Sequence, residues 1–410
     1  MKQHSTRTSL LALAAAVVAA TALTAPARAA EWGAPAAPDR APAHRHAATQ
    51  AALQRLVDEG GQPGAVARAE DGAGTWSGTA GSADTATGRR HTADEHFRAA
   101  SITKPFIATV LLQLEAEGRL RLDDTVDAWL PGVVRGNGHD GRAITLRQLL
   151  NHTSGIFNHT DDPDFRERSA GAGFPEHRYD THRPEDLVAI AMRHPPTSAP
   201  GGPPQYSNTN YVLAGMVIQK ATGHSYAHEV TRRILTPLRL TGTSFPGTDA
   251  TMPTPHPVGY SRLHDQDPDA TTHDATEQNM SWLGAAGELI STTGDLNRFN
   301  RALLRGTLLP PAQMAELLHG IPAGEGYAFG LGIDSVDLSC GVTVLGHTGR
   351  TNGSLSAMFG TPDGRHQLTL DINGDWLPDP ALYADVAEAE FCGAPPARAG
   401  GVRSAALPLA

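Results

Sequence analysis

The chain has 410 residues, which is room for two domains or one two-lobed domain, and its 40% hydrophobic residues suffice for a sizeable core. The formal net charge is −10, and removing the three basic residues of a predicted leader (Lys2, Arg7 and Arg28; −10 − 3) makes it about −13. This acidic balance argues against nucleic acid and anionic membranes as partners.

The first 29 residues have the pattern of a secretory signal peptide. A basic start with Lys2 and Arg7 precedes an apolar run and a small-residue cleavage site that ends at Ala29. Residues 30–46 are rich in Pro and Ala and predict a disordered linker. No later segment has the roughly 18 consecutive apolar residues of a transmembrane helix. We therefore expect a secreted protein with no membrane anchor.

Periodicity and turn residues predict helices mainly in the middle of the chain and strands near both ends. Helices are predicted over Thr49–Asp58, Ile102–Glu117, Thr145–His152, from Pro184, from Asn208 to Gly223, and over Tyr226–Leu235, Gly294–Arg305, Pro310–His319 and Pro380–Phe391. Strands are predicted over Gly64–Ala69, Thr75–Ala80, Ala328–Ile333, Val342–Leu345, Leu355–Phe359 and His366–Ile372.

This order predicts a mixed α/β (α+β) fold. One antiparallel sheet would be assembled from both ends of the chain, with a helical lobe inserted between them. The predicted sheet domain comprises residues 47–99 and 285–393, and the helical lobe comprises residues 100–284. Residues 394–410 predict a disordered C-terminal tail.

The helix after Ser101 carries the first candidate chemistry. Ser101 is predicted to be its N-cap, and Lys104, three residues on, shares its face. An amine beside a hydroxyl at a buried helix start can take the hydroxyl proton as the oxygen attacks. The alternative is a capped core helix with a surface lysine.

Two distant motifs could complete such a site. Tyr206-Ser-Asn208 lies at a helix entrance, where Asn208 or Thr209 is the predicted N-cap, and His347-Thr-Gly349 follows a strand. Thr145 is likewise predicted to cap the helix that it begins. Lys104 and Tyr206 can shuttle protons if burial and neighbouring positive charge lower their pKa values. The backbone N–H of Ser101 and one beside His347-Thr-Gly349 can hold an oxyanion, and a sheet edge there can bind an extended peptide. His347 would add positive potential or a hydrogen bond.

Other chemistry has weaker support. Four residues of the polar segment 158–183 have metal-ligand side chains, namely His159, Asp161, Asp162 and Asp164. No helical or strand spacing aligns them, so we expect a solvated loop and no metal. Cys340 and Cys392 are the chain's 2 cysteines. In an exported protein they suggest one disulfide, and they are too few for a zinc or cysteine-based site.

The three motifs together resemble those of penicillin-interacting serine hydrolases. Ser101-x-x-Lys104, Tyr206-Ser-Asn208 and His347-Thr-Gly349 stand in the order and at the spacing of that family. Class C β-lactamases usually have Tyr-Ala-Asn with Lys-Thr-Gly, so the chain is most similar to the soluble, secreted actinobacterial D-alanyl-D-alanine carboxypeptidases. The similarity covers roughly residues 50–393, the two cysteines included.

The resemblance implies a β-lactamase/DD-peptidase fold and a set of roles. Ser101 would form an acyl-enzyme with the penultimate D-alanine, while Lys104 and Tyr206 share the proton transfers and His347 assists. The implied substrate-binding residues are Asn208, Trp282, Thr348, Gly349 and Arg350, with the N–H groups of Ser101 and Arg350 as the oxyanion hole. Peptidoglycan peptides ending in D-Ala-D-Ala would be substrates and β-lactam antibiotics inhibitors. No cofactor or metal is implied, and we expect a monomer.

One departure from the family pattern affects the substrate. The carboxypeptidases carry an arginine a few residues before the first cysteine, and it binds the substrate's terminal carboxylate. This chain has acids there, Asp334 and Asp337, and it has Arg350 where a small hydroxyl residue is usual. One hypothesis is that Arg350 replaces the missing cation and clamps the carboxylate. The rival is that Arg350 pairs with Asp334, which would leave an ester, an amide or a D-amino-acid derivative as the substrate.

Three functions are therefore open at this stage. The first is a serine-type D-alanyl-D-alanine carboxypeptidase. The second is a class C-like β-lactamase, or an esterase or D-amino-acid amidase, on the same fold. The third is a non-catalytic penicillin-binding sensor, against which the intact Ser101, Lys104 and Tyr206 argue.

Overall fold

The computed structural model describes residues 46–394, apart from residues 266 and 268. The predicted signal peptide, the predicted linker up to residue 45 and the predicted tail from residue 395 lie outside the described residues. Within residues 46–394, no helix is long and apolar enough to cross a membrane.

Strands lie mostly toward the two ends of the described chain. They are β1 (Gly64–Asp71), β2 (Gly74–Gly81), β3 (Phe97–Ala100), β4 (Arg135–Gly136), β5 (His139–Asp140), β6 (Tyr260–Ser261), β7 (His273–Asp274), β8 (Leu289–Ser291), β9 (Ile321–Gly324), β10 (Tyr327–Phe329), β11 (Asp334–Asp337), β12 (Thr343–Thr351), β13 (Ser354–Gly360) and β14 (Gln367–Ile372). Eight of them form one antiparallel sheet in the order β2-β1-β14-β13-β12-β11-β10-β9.

Helices fill the middle of the chain and both of its ends. They are α1 (Ala47–Asp58), α2 (Thr103–Ala116), α3 (Val126–Trp129), α4 (Leu146–Leu150), α5 (Pro163–Ser169), α6 (Phe174–His177), α7 (Pro184–Ala191), α8 (Asn208–Thr222), α9 (Tyr226–Val230), α10 (Thr236–Leu238), α11 (Thr293–Leu304), α12 (Pro311–Leu317) and α13 (Ala381–Cys392). A π-helical turn, Thr231–Leu235, joins α9 to α10.

The antiparallel sheet is built from both ends of the chain, as the sequence predicts. β1 pairs with β14 over six residues, with Ala65 opposite Ile372. One buried apolar cluster joins the sheet to α1 and α13, and a second joins α2, α8 and α11. The sheet therefore has helices on both faces, which is the mixed α/β architecture that was expected.

Helix α2 is buried on all sides, although its sequence predicts only an apolar stripe. Every residue from Thr103 to Leu112 is buried, Lys104 included, because α2 packs against α8 and α12 in the middle of the larger core. The lysine is therefore not the surface residue of the alternative interpretation.

Two predicted N-caps are wrong. Ile102 and not Ser101 occupies the N-cap of α2, and no side chain caps that helix. Ser207 precedes α8, also without a side-chain cap, so neither Asn208 nor Thr209 serves there. Ser101 Oγ instead bonds the side chains of Lys104 and Tyr206, and Ser207 Oγ donates to the Phe157 carbonyl oxygen. The predicted capping of α4 by Thr145 is confirmed, and Gln148 completes a capping box.

The polar segment 158–183 is not a loop. His159–Asp161 is a 3-10 turn, and α5 and α6 follow it. Asp162 accepts the N–H of Phe165 and caps α5, whose first residue is Pro163. The pair Asp162-Pro163 is a signal for a helix start. The prediction of a loop missed it because that prediction depended on the polar composition of the segment.

The two ends of the described chain are tied to each other. The last residue of the predicted linker, His46, bonds Glu390 of α13 and stacks on Trp76, so this residue is not part of a disordered linker, contrary to expectation. Cys340 and Cys392 form a disulfide between the loop after β11 and the end of α13.

Candidate active site

Ser101 lies in the turn between β3 and α2. Strand β13 fixes the position of β3, because the hydroxyls of Ser354 and Ser356 on β13 donate to the carbonyls of Arg98 and Ala99. Ala100 adopts a φ of 47°, a left-handed conformation that is uncommon for a residue with a side chain. The chain therefore turns sharply and presents the Ser101 hydroxyl at the mouth of a cleft.

The Lys104 amine is fully buried and bonded to three oxygens. Nζ lies 3.0 Å from Ser101 Oγ, 2.8 Å from Asn208 Oδ1 and 2.7 Å from the Ala286 carbonyl oxygen. Burial lowers the pKa of Lys104 well below its usual value, although the charge of Asp334 opposes this. A neutral amine has two N–H bonds, and the Asn208 and Ala286 oxygens accept both. Its lone pair is then left to face the serine hydroxyl.

Tyr206 provides the second contact to the nucleophile. Its hydroxyl donates to Ser101 Oγ at 2.7 Å, and the Lys104 amine lies 4.8 Å above its ring. Burial raises the pKa of Tyr206 above the usual phenol value, and the hydrogen bond to Ser101 only partly opposes this. The phenol is neutral and can donate a proton. The expectation that the Tyr206 pKa is lowered is therefore wrong, because desolvation exceeds the effect of the hydrogen bond to Ser101.

The His347-Thr348-Gly349 motif lies on β12 beyond the end of β11. Strand β11 pairs with β12 only as far as Gly346, so no residue of β11 lies opposite His347–Thr351. A Cβ at Gly349 would lie 2.2 Å from the Ala99 carbonyl oxygen, so only glycine lets β12 approach the strand that leads to Ser101. This segment of β12 is the predicted edge for an extended substrate.

His347 is a neutral imidazole in a buried position. Burial lowers its pKa to about 3, with the charge of Lys104 acting in the same direction. Its Nδ1 lies 2.6 Å from the Thr348 carbonyl oxygen. The expectation that His347 adds positive potential is therefore wrong. The other expected contribution, a hydrogen bond, agrees with the geometry.

A carboxylate lies behind His347. Asp334 Oδ2 is 4.0 Å from His347 Nε2, and the Tyr327 hydroxyl donates to the same carboxylate. Burial raises the pKa of Asp334 to about 7, while the bond from Tyr327 and the charge of Lys104 act the other way. The segment where the resembled carboxypeptidases have an arginine thus carries a buried acid.

Arg350 faces the catalytic cleft and does not pair with Asp334. Asp334 is in register with Gly346, and Arg350 lies four residues further along β12, about 13 Å away at the usual strand rise. The guanidinium instead lies 3.3 Å from both His264 Nδ1 and the Asp375 carbonyl oxygen. The rival hypothesis of an Arg350–Asp334 pair is therefore wrong.

The cleft has a volume of about 520 Å³ and is open to solvent. Its walls include the predicted residues Ser101, Tyr206, Asn208, Trp282 and Arg350, together with Asn158, Thr160, Asp161, Arg166 and Asp375. Thr348 and Gly349 do not line it, because they form the buried part of β12. Asn208 is oriented from both ends: its Oδ1 accepts from Lys104 and its Nδ2 donates to Thr160.

Several groups at the site escaped sequence reasoning. The Ala286 carbonyl that bonds Lys104 is a backbone group, so no side-chain pattern reveals it. Asn158 accepts the N–H of Asn208 through its side chain, and the ring of His152 stacks on Tyr206. His152 and Asn158 both follow α4 in a stretch rich in turn residues. That composition was the one sequence signal that could have pointed to them.

Within the described residues, one group of potential metal ligands is compact. His224, His228 and Glu229 bring their ligand atoms within 4.8 Å of one another. The Glu229 oxygen that would bind a metal already accepts bonds from Arg232 and Arg233. His159 and Asp162, considered as ligands from the sequence, bond protein groups instead: His159 bonds Thr209 and Trp282, and Asp162 bonds Arg193.

The fold and this site define a serine hydrolase of the penicillin-interacting class. Residues 49–390 match the model of the beta-lactamase family, and the chain belongs to that family. Its expected fold and family resemblance are thereby confirmed.

Solved structures and curated proteins give the same assignment. A D-stereospecific amidohydrolase from Streptomyces sp. is 51% identical, with a TM-score of 0.80 over 85% of this chain and 99% of that chain. A D-amino acid amidase from Ochrobactrum anthropi SV3 is 28% identical, with a TM-score of 0.68 over 80% of this chain and 91% of that one. Penicillin-binding protein 4 of Amycolatopsis lactamdurans is 27% identical over 70% of this chain and 74% of its own length. A penicillin-binding protein of Bacillus subtilis is 28% identical over 68% of this chain, which spans 62% of that relative.

Proposed function

We propose that this protein is a D-stereospecific serine amidohydrolase that cleaves amides and esters of D-amino acids through an acyl-enzyme on Ser101. The observation that carries the proposal is Asp334, a buried acid 4.0 Å from His347. The resembled carboxypeptidases bind the terminal carboxylate of a peptide with an arginine of this segment, and a buried acid in its place supplies no such cation, which favours a neutral amide or ester group. The similarity to the Streptomyces amidohydrolase, at 51% identity, supports the same substrate class.

The geometry suggests how acylation proceeds. Neutral Lys104 accepts the Ser101 proton as Oγ attacks the substrate carbonyl carbon. The Ser101 N–H and the segment of β12 beyond the end of β11, where the Arg350 N–H is the predicted donor, stabilise the oxyanion. As the C–N or C–O bond breaks, Tyr206 donates its proton to the leaving nitrogen or oxygen, and the Lys104 proton returns to Tyr206. Water then hydrolyses the ester on Ser101 and releases the D-amino acid.

A second candidate is the D-alanyl-D-alanine carboxypeptidase predicted from the sequence. Arg350 supports it, because the guanidinium lines the cleft that Ser101 faces and could clamp a terminal carboxylate. In that case the carboxylate-binding cation lies near the end of β12, whereas in the resembled carboxypeptidases it lies a few residues before the first cysteine. A class C-like β-lactamase remains a third candidate, since β-lactams are cyclic amides that the same serine can attack.

One set of assays separates these functions. The substrates are D-phenylalanine amide, its L enantiomer, a D-Ala-D-Ala-terminated peptide and the C-terminal amide of that peptide. An amidohydrolase hydrolyses D-phenylalanine amide, spares the L form, and cleaves the peptide amide at least as well as the free peptide. A carboxypeptidase prefers the free peptide, and Arg350→Ala abolishes that preference.

Ser101→Ala is the control and should remove all of these activities. Equal cleavage of the free D-Ala-D-Ala peptide by wild type and Arg350→Ala would rule out the clamp. Labelling by a fluorescent penicillin with no turnover of any substrate would favour the sensor, and rapid penicillin turnover would favour the β-lactamase. The secreted location and the monomeric state remain predictions, testable by N-terminal sequencing of exported protein and by light scattering.

A further inference from the structure

His152 holds the backbone on both sides of Tyr206. Its carbonyl oxygen accepts the N–H of Gln205 at 2.8 Å, and its Nδ1 lies 3.2 Å from the N–H of Ser207. Tyr206 is the residue between these two. A single residue from another element therefore fixes the chain immediately before and immediately after the tyrosine.

The imidazole also packs on the Tyr206 side chain. The two rings are stacked with centroids 4.5 Å apart and planes tilted by 33°. Phe329 meets the imidazole edge-on at 5.1 Å, and the ring of Tyr211 lies 5.5 Å away. The imidazole is thus enclosed by aromatic groups and only 2% of the residue is exposed.

Two features show that His152 is held in one state. Its φ is 61°, a left-handed conformation that is uncommon for residues other than glycine. Nδ1 also receives the side-chain N–H of Asn210, whose oxygen is in turn bonded by Ser154, so this nitrogen is an acceptor and the proton is on Nε2. Burial lowers the pKa of His152 well below its usual value, so the imidazole is neutral.

We propose that His152 is the positioning residue for Tyr206: it fixes the phenol within hydrogen-bond distance of Ser101 by binding the backbone on either side and by stacking on the ring. The inference rests on the proposed acyl transfer through Ser101 but not on the identity of the acyl group. Its test therefore uses penicillin acylation as well as hydrolysis, so that a wrong substrate assignment leaves it testable.

Three substitutions separate the parts of this contact. His152→Ala removes both ring and acceptor and should slow acylation by about 100-fold, the usual effect of an ångström-scale misplacement. His152→Asn keeps a residue suited to a left-handed φ and an acceptor for the Ser207 N–H. It should recover about tenfold over alanine, the value of one buried hydrogen bond. His152→Phe keeps a ring but leaves the Ser207 N–H without its acceptor.

A double-mutant cycle distinguishes positioning from a general structural role. In the Tyr206→Phe background, His152→Ala should cost less than about threefold, because the group it positions is gone. His139→Ala is the matched control: His139 is another buried histidine of the helical lobe, bonded to the His194 carbonyl. It should lower the unfolding temperature without slowing acylation per folded molecule.

Two results would overturn the proposal. One is acylation by His152→Ala within threefold of wild type in the folded protein. The other is a full loss that persists in the Tyr206→Phe background, which would show that His152 acts on something other than the tyrosine.

Discussion

At the residue scale, burial shifts the pKa values of Lys104 and Tyr206, the two groups bonded to Ser101, in opposite directions. Desolvation lowers the pKa of Lys104 because its charged form is the protonated one, and raises the pKa of Tyr206 because its charged form is the deprotonated one. A neutral amine and a neutral phenol therefore flank the hydroxyl. Such a divergence assigns a base and an acid to two groups that both touch the nucleophile.

Replacing Lys104 should abolish most of the acylation. Lys104→Met keeps the length of the side chain but removes the proton acceptor, so the rate of acylation by a fluorescent penicillin should fall by roughly 10²- to 10⁴-fold. Lys220→Met is the matched control, because Lys220 is exposed on α8 and is the one other lysine among the described residues. An unchanged rate in Lys104→Met would exclude it as the base.

The charge of Asp334 should be visible in the pH dependence of acylation. Asp334 favours the protonated form of Lys104, so Asp334→Asn should lower the pKa of the amine further. The acidic limb of kcat/KM should then move to lower pH, since the neutral amine persists there. Asp337→Asn, an exposed acid on the same strand, should leave the limb where it is. A shift to higher pH would contradict the arrangement.

At the scale of elements, the site depends on how closely β12 approaches β3. The nucleophile, the tyrosine and the strand edge come from three parts of the chain, and the contact at Gly349 sets the gap between them. There is no room for a Cβ atom at Gly349, because the neighbouring atom is the backbone carbonyl oxygen of Ala99. Unlike a flexible side chain, that oxygen cannot move away.

Gly349→Ala should therefore damage both stability and activity. The new methyl group would push β12 away from Ala99, with a cost of about 1–3 kcal/mol in the free energy of unfolding and a fall of about 100-fold in kcat/KM. Gly324→Ala provides the comparison, since a Cβ there would meet only Tyr327, at 4.0 Å. Chemical denaturation and hydrolysis assays on both variants check the expectation, and equal behaviour of the two would refute it.

At the scale of the whole molecule, the first and last helices are joined by a charged cluster. Glu390 of α13 accepts bonds from His46 and Thr49 at the start of α1 and from His366 before β14. Burial alone would raise the pKa of Glu390, but the bonds from the two histidines and the charge of His366 lower it to about 2. The folded protein therefore favours the ionised acid.

This cluster should make stability fall in acid. Because the folded pKa lies below the unfolded one, Glu390 stabilises fully above about pH 4.5, and its contribution of roughly 3 kcal/mol is lost as pH falls toward 2. Glu390→Gln should reduce stability at pH 7 and flatten its decline below pH 4.5. Glu325→Gln, on the exposed turn between β9 and β10, should change neither. Urea titrations between pH 3 and 7 measure both, and an unaltered slope in Glu390→Gln would be contrary to expectation.

Much of the architecture could be predicted because it depends on local patterns. Gly64–Ala69 and Thr75–Ala80 flank a turn signal, and they are the hairpin of β1 and β2. The segment around Gly330 is harder to predict. The sequence predicts one strand, Ala328–Ile333, whereas the structure has two short strands, β10 and β11, with a break before Asp334. The break places Asp334 behind His347, and it depends on long-range packing that no local pattern encodes.

The sequence by itself predicted which groups do the chemistry. Ser101, Lys104, Tyr206 and His347 stand in motifs whose residue types and order indicate acyl transfer, and apolar periodicity indicates the sheet and the helical lobe. The tertiary structure alone decided the protonation of these groups, since burial shifts a pKa and burial is a property of the assembled core. It also decided that Arg350 faces the cleft apart from Asp334, and that His152 packs on Tyr206, because those contacts join segments that the sequence separates by tens of residues.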